Sequence, residues 1–531
     1  MPEHREADIV VIGGGVGGSY AAATAAYHGL DVFQLERKSE EEAGHIACGD
    51  ATKSPLEPEY FPGDAIDMES IVEDPEIGFD YGIDQIEWWD TSQEGVDIQK
   101  TLRYPDQGER TGSSVVDRYE FGQALLEQAA ERGAEQEFGT VVQELLQGDR
   151  VEGVRAAKNG DEILYHADVT IDASGALSDF NKSVERDGLD AQGGVTLEEP
   201  HFTQMGSAYR EIIETRQPVD YDNAIIGMPL EGSRDSLEDT FGYFWLFPRS
   251  DTEVNVGLGF QMSDDPIQMV DVLRDYVEDR EEFQDAEIDE KFGKKNKLGS
   301  ALALRRPLDS LVAPGYLAAG GNACCTHPIS GKGIRGAAVT GYSAGKHAAE
   351  AIETGDVSEE GLWDHNVYVM KENGIGKTIA SRDPFNIAAG TVDVDSLRAF
   401  VSFLPEEEIQ RVVGSGGDSS LRDELGVIGA AWRNYRERKA DGTLESLDVS
   451  RSDIIDTAWL FGAAKMYSRS LENHYSEYPE NREGFPEWKE ARDEIDSFYQ
   501  GLMDADPKYG GDEDTGYMAA VRSLGKALDV F

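Results

Sequence analysis

Residues 8–18 constrain this chain more than any other stretch. Asp8-Ile9-Val10-Val11-Ile12 is a short apolar run that enters Gly13-Gly14-Gly15-Val16-Gly17-Gly18. An Ala-rich segment with high helix propensity follows and stops at His28-Gly29. Asp31-Val32-Phe33-Gln34-Leu35-Glu36 then reads as a second strand. The pattern is one βαβ unit carrying Gly13-x-Gly15-x-x-Gly18 at its first turn and a carboxylate, Glu36, at the end of its second strand. Gly13 permits the tight turn, Gly15 lets a pyrophosphate approach the backbone, and Gly18 lets helix and strand pack closely. Val16 and Gly17 open a helix whose amides and positive dipole face the phosphates. Glu36 can accept hydrogen bonds from ribose hydroxyls, with Arg37 beside it. The ligand this implies is a dinucleotide.

Later segments favour FAD over a nicotinamide. Arg118 opens a helix after Val115-Val116, a good place for a phosphate or ribose contact. Asp172-Ala173-Ser174-Gly175 ends a strand. Gly315–Gly321 ends another, and leads through Asn322 and His327-Pro328 to Gly331-Lys332-Gly333-Ile334. Such a return to glycine-rich strand ends far downstream suits an extended FAD. Its ribityl chain and isoalloxazine would run past Ala173, Gly175, Gly321, Asn322, Pro328, Gly331, Gly333 and Ile334.

Charge excludes one class of partner. Forty-eight Lys and Arg face 104 Asp and Glu, a net charge of −56 on 531 residues, so no nucleic-acid partner is expected. The acid is dispersed from Glu3 to Asp529, and Lys (18) is scarcer than Arg (30). A dispersed acidic surface of this kind suits a salt-rich cytoplasm, where repulsion is screened over about 3 Å at 1 M salt. The melting temperature is expected to fall as salt is withdrawn; an unchanged value in dilute buffer would refute the halophile reading. Three cysteines, Cys48, Cys324 and Cys325, exclude a disulfide framework and a four-thiolate cluster, and no metal site is expected. No run of about 18 apolar residues spans a membrane and no signal peptide is visible. The expected location is cytoplasmic, with peripheral contact on the inner membrane face.

The fold class expected is α/β (α+β): a Rossmann-like FAD-binding domain, an inserted antiparallel β-sheet substrate domain and a C-terminal helical region. The expected boundaries are 1–60, 100–178 and 298–355 for the first, 61–99 and 179–297 for the second, and 356–531 for the third. Residues 117–135 have helical spacing, 139–172 read as a small meander, and 241–260 read as a hairpin turning near Arg249-Ser250-Asp251. After residue 356, helix-favouring segments follow one another, among them 395–404, 406–414, 454–471 and 487–503, with no site motif.

At these residues the chain resembles the flavoproteins of the p-hydroxybenzoate hydroxylase type and, within them, the geranylgeranyl reductase family, which includes archaeal digeranylgeranylglycerophospholipid reductases. The resemblance covers roughly residues 6–350. It rests on the N-terminal fingerprint, on Cys48-Gly49-Asp50-Ala51, on Tyr243-x-Trp245-x-Phe247-Pro248 with Asn255-Val256-Gly257, and on Pro328-x-x-Gly331-x-Gly333-Ile334. One departure is Gly321-Asn322 where the family usually has Gly-Asp.

The resemblance implies an FAD-dependent reductase that saturates isolated C=C bonds of isoprenoid chains. It places Cys48 at the active site beside the flavin, where Gly49 allows close approach; a buried, inert cysteine is the other reading of that residue. Tyr243 and Trp245 become candidates for the tunnel wall, although aromatic strands also build plain sheet core. No second glycine fingerprint is visible, so the electrons would come from an external donor, a ferredoxin-like carrier or a reduced nicotinamide. The alternative is a monooxygenase or halogenase of the same fold, for which Lys53 is the only nearby candidate lysine.

Overall fold

The computed structural model describes residues 2–53, 58–79, 83–90, 97–103, 113–177, 205–215, 224–231, 242–261, 287–288, 297–391 and 451–503, with a few isolated positions between them. β1 (Glu3–Ile12), α1 (Val16–Tyr27) and β2 (Val32–Glu36) form the N-terminal unit. α2 (Arg118–Glu131) leads to β3 (Glu135–Phe138), then β4 (Thr140–Gln147), β5 (Val151–Lys158) and the long β6 (Asp161–Asp172). The second half of this sheet's core arrives much later, as β12 (Tyr316–Ala318), after β7 (Met205–Glu214), β8 (Ala224–Glu231), β9 (Gly242–Pro248), β10 (Glu253–Gln261) and β11 (Lys297–Ala303).

Among the described residues the first sheet runs β12–β6–β1–β2–β3, all parallel, with the short strand Val312–Ala313 outside β12. β6 has two jobs. It pairs with β1 from Glu3↔Ile163 to Ile12↔Asp172, while β5 hangs antiparallel from its first half and β4 from β5. The expected meander is therefore an extension of the dinucleotide sheet. Ile9, Val10, Val11 and Ile12 are all buried, which is why the strand reads as a continuous apolar run.

α1 is buried along nearly its whole length, so it cannot be amphipathic, and its small residues let a second helix lie on it. That helix is α3 (Ile334–Thr354). A Cβ at Gly341 would lie 2.2 Å from the Gly17 carbonyl oxygen, and one at Gly345 would lie 2.5 Å from that of Ala21. Ser343, His347 and His365 tie the outer side of α3 to the strand beneath: His365 Nδ1 is 2.8 Å from Ser343 Oγ and Nε2 is 3.0 Å from the Ala318 carbonyl.

The second sheet orders β7–β10–β9–β8 and continues to Ile83–Asp90 and Asp97–Arg103, with β11 on the other side of β7. It is antiparallel except where β8 meets Ile83–Asp90. β9 and β10 are the expected hairpin, closed by Arg249 N donating to the Glu253 carbonyl at 2.8 Å. A three-stranded patch, Ala51–Lys53, Ser113–Val116 and Gly78–Phe79, lies beside the cleft.

The tail contributes α4 (Ile375–Thr391), α5 (Arg451–Ser476) and α6 (Phe485–Met503). Their apolar faces, through Ile379, Tyr467, Leu471, Tyr475 and Trp488, and Tyr478 between α5 and α6 join the core of the dinucleotide half. Between α3 and α4 the helix at Asp364–Val367 widens into a π-helical turn, Tyr368–Glu372. The segments 395–404 and 406–414 lie outside the described residues. No helix of the described residues is long and apolar enough to cross a membrane.

Candidate active site

The phosphate end of the site is built by absence of side chains. Gly13 has φ +106°, and a Cβ there would lie 2.5 Å from the Ala173 carbonyl oxygen. A Cβ at Gly18 would lie 2.0 Å from the Gly13 carbonyl oxygen, which is the close approach expected of that position. Gly17 has a further task unforeseen in the sequence: it abuts Gly320, joining the first turn to the turn after β12. Around Gly15 and Gly175 there is open space where a Cβ would be. No side chain caps the N-terminus of α1 and no acid occupies its first turn. Arg118, the first residue of α2, is buried with its Nη1 unpartnered among the described residues. An uncapped helix start and open glycines fit the pyrophosphate and ribityl parts of FAD, whereas the Arg118 guanidinium, a cofactor candidate in the sequence, lies beside the Cys48 thiol.

Two cofactor candidates are already engaged. Both Glu36 oxygens accept backbone bonds, from Gly14 N and Lys38 N, at 2.7 Å each, so a ribose would share that carboxylate with the turn. The Asn322 amide nitrogen donates to the Asp172 carbonyl at 3.3 Å and to the Tyr316 hydroxyl at 3.2 Å. Arg37 is exposed, whereas Val16 and Pro328 are buried. Gly321 abuts the turn at Gly175-Ala176, so the ends of β6 and β12 meet. Gly331 has φ +63°, Gly333 caps α3 and Ile334 is its first residue.

The second half of the site is a wall of aromatic rings. Tyr243, Trp245 and Phe247 share one face of β9 with Gly259, Gly257 and Asn255 of β10, their register partners. Phe244 and Leu246 point the other way into core. Against the wall lies the Cys48 loop: a Cβ on Gly49 would lie 2.9 Å from the Phe247 ring and 3.3 Å from that of Trp245. The Tyr243 hydroxyl donates to the Ser330 carbonyl at 2.8 Å, fixing the Pro328–Gly333 loop over the same cleft. His327 in that loop is held neutral, with its pKa pushed down to about 4 by burial and by Arg382, Lys332 and Arg335.

A buried network holds the loop in place. Asp50 adopts φ +64°, an unfavourable conformation for a residue with a side chain, and is fully buried. Its Oδ2 accepts from Arg249 Nε at 2.9 Å, from Arg249 Nη2 at 2.7 Å and from Asn255 Nδ2 at 2.6 Å. Asn255 also donates to the Cys48 carbonyl at 2.9 Å and accepts from Trp245 Nε1 at 2.9 Å. Arg249 Nη1 reaches Asp117 Oδ2 at 2.7 Å, and Asp117 Oδ1 caps α2 through Tyr119 N at 2.9 Å. The thiol loop, the aromatic wall and the start of α2 are thus one hydrogen-bonded unit. Cys48 is half-buried in surface terms, yet the protein packed round its sulfur raises the thiol above its usual range. Asp50 adds to the rise, and Arg118, the Asp50 N–H and Arg210 oppose it.

A family model of the FAD binding domain matches residues 8–59, and one of the geranylgeranyl reductase catalytic domain matches residues 239–294. A digeranylgeranylglycerophospholipid reductase of Methanosarcina mazei is 30% identical over 356 residues, 66% of this chain and 77% of the relative. The chain belongs to the geranylgeranyl reductase family. The reductase of that name from Sulfolobus acidocaldarius is 26% identical over 379 residues, 69% of this chain and 74% of the relative. In fold, the family member is similar to a geranylgeranyl bacteriochlorophyll reductase-like protein of Thermoplasma acidophilum, with TM-score 0.60 and 20% identity over 82% of this chain and 99% of that one. The chain is an FAD-dependent oxidoreductase of α/β fold, with a parallel cofactor sheet, an antiparallel second sheet and C-terminal helices.

The sequence brings together Cys48, Gly49, Tyr243 and Trp245, and separately the cofactor glycines; it shows Asp50 and Asn255 only as members of motifs, with Asp50 a candidate helix cap or contact to substrate or flavin, and does not show the ties they make with Asp117 and Arg249. Asp50, Asp117, Arg249 and Asn255 come from four segments. The available signals were an Arg directly after the Phe247-Pro248 strand end and an Asp before Arg118 in the position of a helix cap. Nothing in the sequence marks Arg210.

Proposed function

We propose that this reductase saturates isolated C=C bonds of geranylgeranyl chains carried by archaeal-type membrane lipids or their precursors. An isolated alkene has no carbonyl to polarise it. One carbon must receive a hydride and the other a proton, and both donors must be held in a near-attack geometry. FAD, once reduced, supplies the hydride. The observation that carries the reading is the seating of the Cys48-Gly49 loop against Trp245 and Phe247 by Asn255, Arg249 and Asp50. In this reading Cys48 is the proton donor, and Tyr243 and Trp245 fix the chain, whose burial contributes about 0.8 kcal/mol per methylene. Burial keeps the thiol protonated until it is needed.

The glycine turns at Gly13, Gly15 and Gly18 would carry the pyrophosphate. Gly331 and Gly333, at the N-terminus of α3, would face the flavin's pyrimidine edge with backbone amides and favour negative charge there. An external electron donor, a ferredoxin-like carrier or a reduced nicotinamide, completes the cycle. Substrate entry from a bilayer implies peripheral membrane contact, which the acidic surface permits only where salt screens it.

The test is an anaerobic reaction of chemically reduced protein with a geranylgeranyl lipid, followed by mass. Gain of two hydrogens per double bond is the expected outcome. Oxygen-dependent addition of oxygen or halogen, the monooxygenase and halogenase alternative, would overturn it.

A further inference from the structure

Among the described residues, the row that carries Trp245 on the aromatic face includes a charged side chain, Arg210 of β7. It pairs in register with Gly257 of β10, which pairs in turn with Trp245 of β9, so Arg210 and Trp245 lie in one row on the same face. Only a glycine separates them. A Cβ on Gly257 would lie 2.2 Å from the Trp245 ring, so that ring leans over β10 toward Arg210. Arg210 is 2% exposed, and its Nε and Nη1 have no hydrogen-bond partner among the described residues. A buried guanidinium in that condition is costly unless something anionic is brought to it. Asp50 is the charge that stabilises Arg210 most, but it makes no hydrogen bond to it: its Oδ2 holds Arg249 and Asn255, and its Oδ1 has no partner among the described residues.

We infer that Arg210, together with Arg118, is a positioning residue that receives the negative charge left on the Cys48 sulfur when its proton goes to the alkene. The inference rests on the functional reading above. In the step, the S–H bond breaks and its proton joins one alkene carbon while the hydride of the reduced cofactor joins the other. The alkene gains two electrons and two hydrogens, the cofactor is oxidised, and the thiolate remains until a solvent proton replaces the one given. The groups that bear on this sulfur are Asp50 on its own loop, Arg118 at the start of α2, Tyr243 on β9 and Arg210 on β7; Asp117 acts on both of those arginines and Arg249 on Arg210. Arg118 and Arg210 act in the direction of the thiolate. Arg249 is occupied by Asp50 and Asp117.

The experiment measures the rate of Cys48 alkylation by iodoacetamide against pH in the flavin-loaded protein. Peptide mass separates Cys48 from Cys324 and Cys325. In Arg210→Gln the midpoint of the rate profile is expected to rise by about one pH unit or more, which is roughly a tenfold slower reaction at a fixed pH below it. Arg210→Lys is expected to restore most of that shift, which a role in packing alone would not. If Arg210→Gln does not fold, Arg210→Met, which leaves no buried amide, is read in its place. A midpoint unmoved in the charge-removing variant, or moved equally by Arg210→Lys, overturns the inference. Prenyl reduction by the unaltered protein, assayed alongside, separates the two readings. Reduction with an unmoved midpoint overturns this inference alone; a moved midpoint without reduction overturns the functional reading and with it the proton's destination.

Discussion

Two buried arginine clusters among the described residues tie distant segments together, and they differ in what the arginines face. In the tail, Arg492 of α6 touches Asp309 at 2.7 Å, Asp493 at 2.6 Å and Asp496 at 2.6 Å, and Arg306 reaches Asp496 at 2.7 Å. Tyr467 of α5 donates to the same Asp496 at 2.5 Å. Cations there meet carboxylates directly, and the effect is to clamp α5 and α6 onto the segment that precedes β12. Among the described residues of the cleft Arg249 alone is ion-paired in that way; Arg118 and Arg210 are buried, without an ion pair, near Asp50, Asp117 and a thiol. A clamp stabilises whether or not chemistry occurs, whereas a cation kept next to a neutral sulfur is useful when the sulfur changes charge.

The largest effect that tests the contrast is on turnover. Cys48→Ala is expected to lower prenyl reduction by about 10²–10⁴-fold, the usual contribution of a positioned acid, with flavin binding retained. Undiminished reduction by that variant would leave the cleft cluster with no chemical purpose. Arg249→Met and Arg492→Met should each cost about 3–5 kcal/mol of stability, because each strands buried carboxylates, read from denaturant midpoints. They should differ in everything else. Only Arg249→Met frees the Cys48 loop, so only it should change the pH profile of Cys48 alkylation. An equal change in both would show that the two clusters are the same kind of device.

Acid should act on the dinucleotide half through its buried histidines. His365 and His347 are buried and neutral, with pKa values pushed down by burial to about 4 and about 3. The unfolded chain takes up these protons first, near pH 6.5. Their contribution is therefore complete above about pH 6.5 and is lost progressively as pH falls through about 4. Each unit of depression corresponds to about 1.4 kcal/mol. Replacing His365 by Gln should make the melting temperature fall less steeply between those values; an identical slope would place the acid sensitivity elsewhere.

The same contrast explains what could be read in advance. The βαβ unit, the helix after Arg118 and the β9–β10 hairpin depend on neighbours in sequence, through period, propensity and turn residues, and each stood where it was expected. The tail's helices were legible in the same way at α5 and α6. The ties between segments were not. Arg249 and Asp50 are 199 positions apart, and Arg306 and Asp496 are 190 apart. An isolated Asp or Arg carries no periodic signal, and in a chain with 104 acidic residues any one of them resembles a solvated surface group. Asn322 shows the reverse case. Its departure from the family's Gly-Asp was visible, but its internal bonds to Asp172 and Tyr316 depend on how the ends of β6 and β12 abut.

The smallest expected effect separates shape from bonding at the aromatic wall. Trp245→Phe keeps a ring on the same face of β9 but removes the Nε1 donor that Asn255 Oδ1 accepts. Loss of one such bond to a buried acceptor costs about 1 kcal/mol. Asn255 retains its bonds to Cys48 and Asp50, so the thiol loop should stay seated and the alkylation profile of Cys48 should not move. Prenyl reduction should fall by about tenfold or less, the amount that 1.4 kcal/mol in the barrier represents. A much larger loss, with the thiol profile unchanged, would mean that the breadth of the indole over Gly257 is what aligns the alkene. A shifted profile would mean that Trp245 holds the cleft cluster together as firmly as Arg249 does.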